Sequence, residues 1–167
     1  MSPALLLAVV LAELAPGSPA PDIAAKNQDG KTVKLSELKG KPVLVFFYPK
    51  DDTPGCTREA SELRDDYAKY QALGVTVLGV SRQGALSHRA FREKYKLPFD
   101  LLVDEDGSIA RAFGVGTFPV LGFAKRQSVL VGSDGRVVRF FRDVDPATHS
   151  AQVLATFAEV SKAGAAR

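Results

Sequence analysis

The chain carries one cysteine, Cys56, and two histidines, His88 and His149, far apart in sequence. One thiol cannot close an internal disulfide, form a CxxC redox pair or build a thiolate zinc cage. Two distant histidines give no metal-ligand spacing, so neither a metal nor a cofactor is expected. The thiol is therefore inert core or a nucleophile, and its neighbours must decide. They read FFYPKDDTPGCTREASELRD over Phe46–Asp65. Thr53 suits a helix N-cap and Pro54 the first helical position, which puts Gly55 second and Cys56 third. At that place amide N–H groups without helical partners and the positive end of the helix dipole surround the sulfur. Both favour a thiolate, the nucleophilic form. The Thr53 hydroxyl could donate to the sulfur or to a bound oxygen, and Gly55 lets another group approach the backbone. The competing reading is a small buried hydrophobe, common for free cysteine. The polar strand-to-helix junction argues against it.

Glu59 lies three residues after Cys56, on nearly the same helix face. A free carboxylate there works against a thiolate, whereas a neighbouring arginine reverses the sign. Arg126, just before an apolar run, is a candidate partner; Arg58 points elsewhere on the helix and reads as solvated. Glu59 is alternatively a first-turn acid on the helix dipole. Spacing alone does not choose between these.

The elements that must hold these residues follow from periodicity. Val43–Tyr48 (VLVFFY) and Val75–Val80 (VTVLGV) are continuous apolar runs, expected as strands covered on both faces. Short strands are expected at Lys31–Leu35 and Asp100–Val103, with a helical turn from Ser36 to Leu38. A helix is expected from Thr53-Pro54 to about Tyr70, another over Ser87–Tyr95, and a brief one ending at Phe113. Ser128–Val131 and Arg136–Phe141 flank the turn GSDG and read as a hairpin. Pro146–Ser161 reads as a final amphipathic helix. This order predicts an α/β fold with a mixed central sheet flanked by helices.

The 167 residues suffice for one domain, placed at 13–162, with 1–12 as an apolar N-terminal segment and 163–167 as a tail. Ala4–Ala12 (ALLLAVVLA) is too short to span a bilayer. It reads equally as a signal-peptide core, although no basic residue precedes it, or as a packed extension. The compartment stays open, cytoplasmic by default and exported if 1–12 is a signal. A net charge of +3, spread without basic runs, gives nucleic-acid binding little support. His88 and His149 read as surface residues. Asp104-Glu105-Asp106 reads as a turn and helix start, not a metal site. The apolar loop Thr117–Pro119 with Phe123 could line the site or simply pack.

The stretch from Pro49 through Thr53 to Cys56 matches the PxxxTxxC motif of peroxiredoxins, and FFYPKDDTPGCT resembles their Q subfamily, the bacterioferritin comigratory proteins. The resemblance continues through APDI, LSELKGKPVLVFFYPK, VLGVS, LLVDEDG and RQSVLV, covering about Leu14 to Ala158. It implies a thioredoxin-like fold and a thiol-dependent peroxidase. Cys56 would be the peroxidatic cysteine. Thr53 and Arg126 would bind the peroxide and stabilise the thiolate, Pro49 would shield it, and Glu59 would orient Arg126. Where many members carry a resolving cysteine, this chain has Ser61 and Arg92. It therefore resembles a one-cysteine enzyme, a monomer or dimer, that reduces hydroperoxides and depends on thioredoxin, a glutaredoxin or glutathione. The reading from a different class is a redox-responsive binding or holdase protein on the same fold, with Cys56 oxidation as its switch.

Overall fold

The computed structural model describes residues 14–165, so the Ala4–Ala12 segment lies outside the described residues. Two parallel apolar runs make the centre. Strand β3 (Val43–Phe47) pairs in parallel with β4 (Thr76–Ser81), which pairs in parallel with β5 (Asp100–Val103). On its other edge β3 pairs antiparallel with β6 (Gln127–Val131), and β6 with β7 (Val137–Phe141). The five-stranded sheet runs β5-β4-β3-β6-β7 and is mixed, as expected. A small ribbon of β1 (Ala24–Lys26) and β2 (Thr32–Lys34) precedes it, followed by a 3-10 turn at Leu35–Leu38. The β1 strand is not legible from the sequence, because only one of its three residues is buried.

Strand β3 shows why both faces are covered. Val43, Val45 and Phe47 point into one core with Ile109, Ala110 and Phe113 around the short helix α4 (Ser108–Ala112). Leu44, Phe46 and Tyr48 point into the other. There they meet α1 (Pro54–Asp65), α2 (Tyr67–Ala72), α3 (Ala85–Lys94) and α5 (His149–Ala165). Period-two alternation on a strand with both faces apolar is the signature of a central strand between helical layers. Gly79 in β4 is required by closeness: a Cβ there would stand 2.7 Å from Leu101 and 2.8 Å from the ring of Phe46. Leu63 of α1 is fully buried in this second core. Truncation to Ala is expected to cost about 2–5 kcal/mol, read as a lower urea midpoint at unchanged slope.

Two helix boundaries differ from expectation for identifiable reasons. The helix expected to reach Tyr70 breaks at Asp66, whose carboxylate takes Ser150 Oγ at 2.8 Å and Lys69 Nζ at 2.9 Å. The last helix starts at His149, not Pro146, because Asp145 draws 146–148 into a turn, accepting from Ala147, Thr148 and His149 amides. Among the described residues, no helix is long and apolar enough to cross a membrane.

Candidate active site

Strand β3 ends at Phe47, and the chain turns through Pro49–Asp52 into α1. The reversal is made at Asp52, which adopts φ 56°. Its carboxylate is tied to the end of α3 by Tyr95 Oη at 2.5 Å and Lys94 Nζ at 2.8 Å. Thr53 is the N-cap and Pro54 the first helical residue, as the sequence predicts. The side chain of Thr53 does not cap the helix. Its hydroxyl donates to Lys50 O at 2.8 Å. That corrects the expectation that the Thr53 hydroxyl donates to the sulfur or to a bound oxygen: a hydroxyl has one proton, so its oxygen is left as an acceptor. The first helical bond is Thr57 N–H to Thr53 O, so the Gly55 and Cys56 amides precede the ladder.

Cys56 sits in the first turn of α1, 2% exposed. The pairing of Phe47 with Gln127 sets Arg126 one residue beyond the end of β3, beside that turn. Gln127 anchors this corner, accepting from Gly116 N–H at 3.0 Å and donating to Arg142 O at 3.1 Å. Arg126 then spans two partners. Nη2 approaches Cys56 Sγ at 3.4 Å, and Nη1 donates to Glu59 Oε2 at 2.7 Å. The Arg–Glu pair that the sequence left open is present, and Arg58 pairs on the surface with Glu62 instead. Gly55 makes the approach possible, since a Cβ there would lie 2.9 Å from Arg126 Nη2.

The charges bear this out. Arg126 holds its proton more tightly than usual although burial opposes it, because Glu59 and Cys56 both favour its charged form. Glu59 is fully buried, and its Oε1 has no hydrogen-bond partner. Burial pushes its carboxyl up to about 7, against the pull of Arg126. The folded chain therefore keeps a proton that the unfolded chain releases near 4.5, and stability from this group falls as pH rises from 4.5 to about 7. A Glu59→Gln chain lacks that loss. Its stability relative to the native chain is expected to increase across this window and level off above it, as urea unfolding at several pH values would record.

Pro49 is half-buried beside this loop, and its carbonyl faces Gln83 Nε2 at 3.5 Å. Ser61 is half-buried on α1, and Arg92 on α3 donates to Phe99 O. Both histidines depart from expectation. His88 is fully buried, with Nδ1 2.6 Å from Asp51 Oδ2 and Nε2 2.9 Å from Leu102 O. The sequence did contain the signal: His88, Phe91 and Tyr95 recur at helical spacing on the inward face of α3. His149 is also fully buried, its Nε2 2.8 Å from Ser128 Oγ; burial holds its pKa down to about 4. The acidic cluster is a helix start, as expected. Asp104 is buried and accepts from the amides of Ile109 and Ala110. No group of three metal-binding side chains occurs among the described residues.

A model of the AhpC/TSA family matches residues 16–140. The chain belongs to that family. The chain is 41% identical over 152 residues to chloroplastic peroxiredoxin Q of Triticum aestivum, covering 87% of this chain and 68% of the wheat protein. It is 40% identical to peroxiredoxin Bcp of Bacillus subtilis (strain 168), covering 87% and 96%. The crystal structure of peroxidoxin BcpB from Mycobacterium tuberculosis superimposes with a TM-score of 0.82 at 28% identity, over 89% of this chain and 99% of that one. The chain is thus a peroxiredoxin of the Q/Bcp kind with a thioredoxin-like fold, and a thiol-dependent peroxidase.

Proposed function

We propose that this peroxiredoxin reduces hydrogen peroxide and organic hydroperoxides by a one-cysteine cycle on Cys56. The Cys56 thiolate attacks one peroxide oxygen. The S–O bond forms as the O–O bond breaks, and the departing oxygen takes up a proton to leave as water or an alcohol. Cys56 is then a sulfenic acid. A first external thiol converts it to a mixed disulfide with loss of water, and a second releases the Cys56 thiol and carries away the disulfide. Thioredoxin, a glutaredoxin or glutathione can fill that place. The chain has no second thiol to do so.

The observation that carries this reading is the bridge from Cys56 Sγ through Arg126 to Glu59. As the peroxide is cleaved, negative charge spreads from sulfur onto both oxygens. A fixed guanidinium and the free amides of Gly55 and Cys56 are placed to receive it. Glu59 holds the guanidinium in position, and Gly55 makes room for it. Thr53, its own proton spent on Lys50 O, accepts the peroxide O–H, and Pro49 limits water at the sulfur.

Intact mass after one equivalent of hydrogen peroxide, with and without a sulfenic-acid trap, tests the reading. A trap adduct on Cys56 formed within seconds is the expected result. A thiol still unmodified after minutes would overturn it and favour a binding protein without turnover.

A further inference from the structure

The Pro49–Thr53 loop is held from beneath by a polar cluster that the reaction itself does not use. Asp51 lies at its centre, 7% exposed. Its Oδ1 accepts from Tyr48 Oη at 2.7 Å; its Oδ2 meets Ser87 Oγ at 2.8 Å and His88 Nδ1 at 2.6 Å. The Asp51 amide donates to Gln83 Oε1 at 3.0 Å, and Ser81 Oγ donates to the same atom at 2.7 Å.

His88 joins this loop to the sheet. Its Nε2 faces the carbonyl of Leu102 in β5, which can only accept, so Nε2 carries a proton. Its Nδ1 faces a carboxylate. One further proton must therefore lie between Nδ1 and Oδ2, whichever atom holds it, and the pair is neutral as a unit. A buried polar cluster with every partner in place is rigid, and one with a partner missing is costly.

We propose that His88 and Asp51 are a positioning pair that fixes the Pro49–Thr53 loop over the peroxidatic sulfur. The inference rests on the peroxidase reading above. A histidine satisfied in the core for stability alone would not need its carboxylate on the loop that carries Pro49 and Thr53. Nor would the next arm of the cluster, Gln83, reach both the Asp51 amide and the Pro49 carbonyl. Tyr48 belongs to the same field: burial, then Asp51, and more weakly Cys56 all hold its phenol well above its usual pKa. Arg126 stands just before β6, separate in sequence from this loop. Disturbing the pair should therefore displace Pro49 and Thr53 while leaving the guanidinium beside the sulfur.

The test compares two reactions of the same thiol: oxidation by hydrogen peroxide, which needs the loop, and alkylation by iodoacetamide, which needs only a reactive accessible sulfur. His88→Leu is expected to slow oxidation by about 10- to 100-fold, as a small misplacement of reacting groups does. Alkylation should not fall, and should rise to the extent that Pro49 no longer covers the sulfur. Adding Asp51→Asn to His88→Leu removes the stranded carboxylate and should restore part of the oxidation rate. Should His88→Leu fail to fold by circular dichroism, His88→Gln serves, since its amide can donate to Asp51 but not also to Leu102 O. Lys94→Ala, which breaks the exposed tie to Asp52 and the contact with the Tyr95 ring, should leave oxidation within about twofold. Native oxidation rates in the folded His88 variants would overturn the proposal. So would alkylation falling in parallel with oxidation, which would mark a general disturbance. A native chain that peroxide does not oxidise would instead remove the peroxidase reading, and this inference with it.

Discussion

A Cys56→Ser chain is expected to consume peroxide no faster than buffer alone, with any thiol reductant supplied. The substitution exchanges one small buried atom for another, so the fold should survive with a modest change in melting temperature. The hydroxyl is a poor nucleophile at its ordinary pKa. Arg126 favours an anion already formed; it cannot remove a proton. Peroxide consumption followed by ultraviolet absorbance, beside a melting curve of the same preparation, separates lost chemistry from lost structure. Residual catalysis above background would mean that Cys56 is not the reacting group.

The second large effect is expected at Arg126. Replacement by Ala should lower the second-order rate of Cys56 oxidation by about 10²–10³-fold, the usual consequence of losing one fixed donor to developing negative charge. It also strands Glu59, fully buried 2.7 Å from the lost nitrogen. With the opposing pull of Arg126 gone, its carboxyl should hold a proton to still higher pH, and thermal stability near neutrality should fall. Arg126→Lys should recover little of the rate. The native fork reaches Sγ with Nη2 and Glu59 with Nη1 at once, whereas an ammonium is a single point that serves one or the other. Stopped-flow oxidation of the three proteins would check this, and equal rates for Arg126→Lys and the native enzyme would contradict it.

Much of the arrangement was legible in the residues, because local chemistry dictates it. VLVFFY reads as a strand covered on both faces, and Thr53-Pro54 reads as a helix start, as β3 and α1 bear out. Together they deliver Cys56 to a first turn. The charge conflict between Cys56 and Glu59 called for a cation, and the cation lies 70 positions from the sulfur. Spacing could nominate Arg126 but not place it, since its approach depends on the pairing of β3 with β6. His88 was misread for a related reason. A histidine in a helix full of Arg, Lys and Glu resembles a solvated face, and its burial becomes visible only when α3 is packed on Tyr48 and the loop carrying Asp51. The Thr53 hydroxyl shows the limit from the other side. Its position was right, but the direction of one proton depends on where the Lys50 carbonyl points.

Cys56 is nearly sealed from solvent, and it is the one thiol in the chain. A hydroperoxide is far smaller than a protein reductant, which must gain access to a cysteine that is 2% exposed. On the proposed one-cysteine cycle, each oxidised molecule would therefore stand at a fork between rescue by a thiol and further oxidation to the sulfinic acid. The ratio of peroxide to thiol sets the odds at every cycle, and those odds compound. On the proposed cycle the surviving active fraction would become a running record of exposure, a dosimeter whose reading is the number of peroxides met without a reductant at hand.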